Sequence, residues 1–153
     1  MSTRRAVRVS SLFVALVALS GCGEPLFVLP GGALSGTVVP APTNWNFSNA
    51  FETVQLETRP DDPYSVNVWG MGSQRTFFVA SGDGMESAWA QHIAADPNVR
   101  LRLGDEVYEL RAVRADGKLD RRRFRAMGEH KYDDFDSAFE DLDAVVVFRL
   151  ERR

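Results

Sequence analysis

The chain has 153 residues, a length that suits one domain with its own hydrophobic core. Its 18 basic and 21 acidic side chains give a formal net charge of −3, but residues 1–21 contain three arginines and no acid. The rest of the chain therefore has 15 basic and 21 acidic side chains, a balance of −6. This acidity argues against a nucleic-acid partner, because binding to phosphates along a strand needs a basic face.

Residues 1–21 have the pattern of a signal peptide. Three arginines precede an apolar run at residues 11–20, which is too short to span a bilayer. The segment leads into Leu19-Ser20-Gly21-Cys22, which resembles the lipobox of bacterial lipoproteins. That resemblance implies that the thiol of Cys22 carries acyl chains such as palmitate and that the mature protein begins there. The alternative is an ordinary secretory signal followed by an unmodified cysteine.

Cys22 is the only cysteine, so no disulfide forms within the chain. Gly23 follows it at the position where an aspartate would resemble the signal for retention in the inner membrane. We therefore expect a lipid anchor in the cell envelope, at the periplasmic face of the outer membrane. Four prolines lie between residues 23 and 42, and we interpret residues 22–42 as a tether to a domain at 43–153.

Alternation of apolar and polar residues predicts three strands, at residues 53–58, 64–69 and 74–80. Turn-forming residues occupy 59–63, and Gly70-Met71-Gly72-Ser73 is predicted to be the second turn of an antiparallel meander. Arg59 in the first turn is either a solvated charge or a ligand for phosphate. Asn67 is either a polar residue on the wet face of its strand or an amide offered to the ring of a ligand.

The third strand leads through a glycine-containing loop into a helix predicted at residues 86–95. This passage directs free backbone N–H groups and the positive end of the helix dipole at one place, which suits a phosphate. Three loop residues are therefore candidate phosphate ligands: Ser81, Gly82 and Gly84. On the helix, Trp89 is either a core anchor or a ligand contact, and His92 is either structural or part of the same site. His92 has no His or Cys at metal-ligand spacing, so no metal site is predicted.

The rest of the chain continues both patterns. Alternation predicts strands at residues 98–103, 106–114 and 144–150, and helical spacing of apolar residues predicts helices at 119–127 and 133–142. The basic run Arg121-Arg122-Arg123-Phe124-Arg125 lies on the first of these helices. It is a solvated face, a contact for anionic lipid, or a partner for the acidic residues downstream.

The order of elements resembles the split β-barrel flavin-binding superfamily, which includes pyridoxamine-phosphate-oxidase-like proteins and deazaflavin-dependent nitroreductases. The local match to the nitroreductase branch consists of Ala80-Ser81, Gly82, Trp89, Asp96-Pro97 and Val99. His92 and Asp96 stand where that branch has asparagines. The expected fold is therefore mainly β (α+β), an antiparallel split β-barrel of six or seven strands with two or three short helices.

The resemblance also implies a function. It implies a bound FMN or deazaflavin coenzyme, oxidoreductase activity and a homodimer, with a set of residues around the cofactor: Arg59, Asn67, Ser81, Gly82, Gly84, Trp89 and His92. It identifies no catalytic residue, because in this superfamily the cofactor performs the chemistry. The alternative is a non-enzymatic lipoprotein that uses the barrel as an envelope scaffold or binds another ligand.

Overall fold

The computed structural model describes residues 29–153; residues 1–28, with the predicted signal peptide and Cys22, lie outside it. The described part contains eight strands: β1 Thr37–Val39, β2 Val54–Thr58, β3 Tyr64–Val68, β4 Gly70–Ser73, β5 Thr76–Ser81, β6 Asn98–Leu103, β7 Glu106–Arg114 and β8 Val146–Arg152. It also contains three α-helices: α1 Ala88–Ala95, α2 Lys118–Lys131 and α3 Phe135–Ala138. Two short 3-10 helices occupy Asn46–Ala50 and Gly84–Glu86.

Seven of the strands form one antiparallel sheet in the order β3-β2-β6-β7-β8-β5-β4. The short strand β1 adds to it by pairing in parallel with β7. Strands β3 and β5 also contact each other, so the sheet curls into a half-barrel. The predicted fold class, an antiparallel split barrel of six or seven strands with two or three helices, is confirmed.

The sheet is buried on both faces along β5. Phe77 and Val79 belong to a core cluster inside the curl, together with Trp89 of α1, whereas Phe78 and Ala80 belong to a second cluster beneath α2 and α3. Successive residues of a strand point to opposite faces, so one strand supplies both cores. Helix α1 is thereby fixed against one face of the sheet and α2 against the other.

The predicted meander is wrong after β3, because the segment predicted as its second turn is itself a strand. Residues 70–73 form β4, and the chain reverses at Gln74 and Arg75, where Gln74 has a φ of 47°. Strand β5 pairs with β4 and β8. The glycines serve packing: a Cβ at Gly72 would lie 2.4 Å from Ser48 Oγ and 2.6 Å from Trp45 Cβ.

Part of the predicted tether is hydrogen-bonded to the sheet. The N–H of Gly31 donates to the carbonyl of Ser65 at 2.8 Å, and the N–H of Leu34 donates to Glu57 Oε2 at 2.6 Å. Glu57 is 2% exposed and also accepts two bonds from Arg100 Nη1, at 2.9 and 3.1 Å. The folded part of the chain therefore begins before residue 43.

The helices differ from the predictions mainly in length. Helix α2 continues to Lys131, whereas the segment predicted as helix at 133–142 contains only the four residues of α3. The 3-10 turn Gly84–Glu86 precedes α1, so the predicted helix at 86–95 begins as a separate turn. Within residues 29–153, no helix combines the length and apolar character that crossing a membrane requires.

Candidate functional site

Two of the predicted site residues, Arg59 and His92, lie near each other where the end of β2, the start of β3 and helix α1 come together. Thr58 is the register partner of Tyr64 across the β2–β3 hairpin. From α1, His92 places its Nδ1 3.0 Å from Thr58 Oγ1, and its ring lies edge-on to the Tyr64 ring at a centroid distance of 4.9 Å. We call Thr58, Arg59, Asp62, Tyr64 and His92 the Arg59–His92 cluster.

Arg59 begins the tight turn between β2 and β3. Its φ of 54° is a backbone conformation that residues other than glycine rarely adopt. Its guanidinium lies 5.6 Å from the centroid of the Tyr64 ring, and one terminal nitrogen pairs with Asp62 Oδ2 at 3.2 Å. Its Nε is buried and has no hydrogen-bond partner among the described residues. The side chain as a whole is 41% exposed, so part of it is open to an incoming anion, whereas the buried Nε is closed to one.

The surroundings of the His92 ring determine its tautomer and its protonation state. The Thr58 hydroxyl lies 3.2 Å from the Tyr64 carbonyl oxygen and has a single hydrogen to donate. When that hydrogen goes to the carbonyl, His92 Nδ1 is the donor to Thr58, and Nε2 carries the lone pair. Burial lowers the pKa of His92 and the charge of Arg59 lowers it further, against a smaller opposing effect of Asp62. The ring is therefore neutral at neutral pH.

The loop before α1 is internally bonded. The Ser81 hydroxyl donates to Ser87 Oγ at 2.8 Å, and Ser87 Oγ lies 3.3 Å from the Gly84 carbonyl oxygen. Gly84 has a φ of 57°, and a Cβ there would lie 2.7 Å from the Ala144 carbonyl oxygen. Gly82 is different, because it is exposed and a Cβ there would meet only Phe139 Cε1, at 3.9 Å. Of the two glycines, only Gly82 has backbone open to an incoming ligand.

The structure places two other predicted site residues away from this cluster. Trp89 is 7% exposed and packs on Phe148 at a centroid distance of 5.8 Å, so it is a core anchor. Asn67 is the register partner of Gln55 on β2. It lies three residues along β3 from Tyr64, which is about 10 Å. It lines a separate cavity of about 260 Å³ together with Arg102.

Sequence reasoning did not assign Thr58 and Tyr64 to the site. Both flank the predicted turn at 59–63, and residues on either side of a tight turn lie opposite each other in a hairpin. That signal was available in the sequence. The described residues contain no group of three or more His, Cys, Asp and Glu side chains that could hold a metal ion.

Comparison with solved structures identifies the architecture. A protein from Listeria innocua, assigned as a pyridoxamine 5′-phosphate oxidase, has 14% identity and a TM-score of 0.51 over 67% of this chain and 85% of its own. The F420-H2 dependent reductase FDR-A has 18% identity and a TM-score of 0.56 over 65% and 94%. The heme storage protein HutZ from Vibrio cholerae has 19% identity and a TM-score of 0.55 over 70% and 85%.

This chain has the split-barrel fold. At 14 to 19% identity the likeness establishes the architecture alone. No protein-family model matches the sequence, and comparison with curated proteins finds no match. What the split barrel binds in this chain therefore has to be argued from its own residues.

Proposed function

We propose that this protein is a lipid-anchored envelope protein whose split barrel binds a flavin-type cofactor, FMN or a deazaflavin, at the Arg59–His92 cluster. The observation that carries the proposal is the partly exposed Arg59 side chain, a cation that lies beside a neutral histidine and against an aromatic ring. Solved proteins of the same fold include one assigned as a pyridoxamine 5′-phosphate oxidase and an F420-H2 dependent reductase; F420 is a deazaflavin.

The residues present fit the polar part of such a cofactor. The guanidinium of Arg59 suits a phosphate, because its N–H groups form a planar fork that matches the oxygens. The open backbone at Gly82 lies in the loop before α1, the helix that carries His92. The Asp83 and Glu86 carboxylates of that loop disfavour an anion there, so the phosphate is assigned to Arg59, whose exposed partner Asp62 it would displace. A bound flavin or deazaflavin would supply hydride transfer.

The lipid anchor is a separate part of the proposal, and it is supported by the lipobox-like sequence ending at Cys22. Several acyl chains, each worth about 0.8 kcal/mol per buried methylene, would hold the protein permanently at a membrane. Mass spectrometry of the protein isolated from membranes should find an acylated N-terminal cysteine. Cys22→Ser should give unprocessed, unacylated precursor, and a Cys22→Ser protein that fractionates and migrates like the wild type would remove the anchor from the proposal.

A second candidate function is non-enzymatic ligand binding. The packing of Trp89 into the core and of Gly84 against Ala144 favours it, because both residues are then committed to the fold. One solved protein of this fold is a heme storage protein, and the neutral His92 ring keeps its Nε2 lone pair, the kind of donor that ligates heme iron.

One experiment separates these candidates. The purified full chain, in a neutral maltoside detergent, is titrated in parallel with FMN, oxidised and reduced deazaflavin coenzyme, and hemin. The proposal expects tight binding of a flavin-type cofactor that His92→Ala weakens and Arg59→Ala abolishes. Binding of hemin alone, lost in His92→Ala, would support the second candidate. Binding of none of them by a folded sample would leave envelope scaffolding as the function.

A further inference from the structure

A basic groove lies outside the Arg59–His92 cluster. It is a cavity of about 520 Å³ between the turn joining β4 to β5, helix α2, the end of β8 and the segment at residues 42–45. A neighbouring cavity of about 420 Å³ shares Arg75, Thr76 and Arg123 with it and extends along α2 towards Met127. We call the two together the Arg75 groove. Neither cavity is lined by a residue of the Arg59–His92 cluster or of the loop at 81–87.

The charges of the groove are only partly balanced. Arg149 pairs with the carboxylates of Asp120 and Glu151. Arg152 donates to the Pro42 carbonyl oxygen at 2.9 Å, which holds its side chain without neutralising it.

The side chains of Arg75 and Arg123 have neither an ion pair nor a hydrogen bond to any residue in the described range 29–153. The groove has four arginines, and the two acids that pair with Arg149 are the only carboxylates counted against them. Its net charge is therefore +2, whereas the formal charge of the whole chain is −3. A concentration of like charge opposite to that of the whole molecule attracts an anion.

The groove also has an apolar floor. Trp45, Leu110 and Leu150 form its base but are each at most 3% exposed, so the half-buried Pro42 at the wall supplies accessible apolar surface. Its volume lies within the range of small-molecule sites, which combine apolar walls with a few placed polar groups. The two cations without a side-chain partner come from the turn at Arg75 and from α2 at Arg123.

We propose that the Arg75 groove binds an organic phosphate, with the phosphate held by Arg75 and Arg123 and an apolar body against Pro42. Phosphate suits two guanidinium groups, because its oxygens can accept from two planar forks at once. The same chemistry is offered by a free phosphate ester and by the headgroup of an anionic lipid. The proposal does not depend on the cofactor site, because the two regions share no residue.

Phenyl phosphate is the probe, and calorimetry on the purified full chain in a neutral maltoside detergent is the measurement. Inorganic phosphate lacks the apolar body and phenol lacks the charge, so both should bind more weakly than phenyl phosphate. Arg75→Ala and Arg123→Ala should each weaken phenyl phosphate binding about tenfold or more, the loss of one charge-assisted hydrogen-bonding group. Arg122→Ala removes the same charge from the adjacent position of α2, outside the groove, and should leave the Kd nearly unchanged.

The source of the phosphate is tested by competition. Displacement of phenyl phosphate by phosphatidic acid added to the micelles would assign the groove to a lipid headgroup; displacement by soluble phosphate esters alone would assign it to a free ester. Melting temperatures equal to the wild type would show that the variants are folded, as expected for exposed arginines without partners. No binding of phenyl phosphate at millimolar concentration, or equal weakening by Arg122→Ala and Arg123→Ala, would overturn the proposal.

Discussion

Thr58 Oγ1 and His92 Nδ1 lie 3.0 Å apart and join the last residue of β2 to the middle of helix α1. Thr58 is fully buried, and His92 is held on its other side by the edge-on ring of Tyr64. The contact orients the imidazole and places it beside Arg59, whose charge acts on its pKa. The hydrogen bond thus orients the ring, and burial together with the charge of Arg59 keeps it neutral.

His92 should make stability depend on pH. Its pKa in the folded protein is lowered from 6.5, so below that value the unfolded chain binds the proton that the folded chain resists. The stabilisation is complete above pH 6.5 and is lost as the pH falls through the lowered pKa. Urea denaturation at about pH 7.5 and about pH 5 should show this loss in the wild type and in His130→Gln, and a smaller loss in His92→Gln. Equal pH dependence in all three proteins would contradict it.

Glu57 should be essential for stability. Its carboxylate is buried and accepts from both Arg100 and the Leu34 N–H, so Glu57→Gln leaves Arg100 without its counter-ion. Removing one partner of a buried ion pair costs about 3 kcal/mol or more. Denaturant unfolding should show that loss, and hydrogen exchange should show weaker protection of the Leu34 amide. The exposed Glu140→Gln serves as control, and a Glu57→Gln protein as stable as this control would refute the role.

Glycine at position 72 should be required by close packing. A Cβ there would lie 2.4 to 2.7 Å from Ser48 and Trp45, so Gly72→Ala must move the 3-10 helix Asn46–Ala50 or the strand. We expect a loss of about 2 kcal/mol or more in unfolding free energy, typical of overpacking in a well-filled core. Gly82→Ala meets only one atom, at 3.9 Å, and should change stability by less than about 0.5 kcal/mol. Similar melting temperatures for the two variants would contradict the packing role.

Lys131 should titrate near neutral pH. Burial lowers its pKa from 10.5 to about 8 while its Nζ donates to the carbonyl oxygens of Ser48 and Gly70. Between pH 8 and pH 10 the unfolded chain holds a proton that the folded chain has released, so stability should rise with pH across that window. Tyr132 limits the window from above, because its pKa is raised from 10.0 to about 12. Lys131→Met should flatten the rise, and NMR titration of the Lys131 side chain at a pKa above 10 would disprove the shift.

The strands that the sequence predicts most accurately are β6 and β7. Alternation is unbroken in β6 and runs from Tyr108 to Ala112 in β7, Gly104-Asp105 separates the two strands, and the predicted bounds 98–103 and 106–114 agree with the structure. Strand β4 was missed because glycines are typical of turns, whereas Gly70 and Gly72 are used here to let side chains approach the backbone. A single sequence does not distinguish these two uses of glycine.

The candidate site was only partly predictable. Arg59 and His92 were recognisable as isolated polar residues, but their proximity depends on how α1 packs against the end of β2. Trp89 lies on the same helix as His92 and points into the core. The spacing of residues along a helix does not by itself decide whether such a side chain contacts the core or a ligand. The Arg75 groove was not predictable, because Arg75, Arg123 and Arg152 are brought together by the pairing of β5 with β8 and by the packing of α2 against β4.

The central claim, cofactor binding at the Arg59–His92 cluster, is tested most directly by titrating FMN and the deazaflavin coenzyme into four folded proteins. These are the wild type, Arg59→Ala, His92→Ala and, as a charge control, Arg111→Ala on the exposed side of β7. We expect one cofactor to bind the wild type and Arg111→Ala and, at a hundred times its Kd, to stabilise them by about 2.7 kcal/mol. Arg59→Ala and His92→Ala should lose at least about tenfold in affinity. Failure of both cofactors to bind the wild type at millimolar concentration, or equal binding by all four proteins, would contradict the claim.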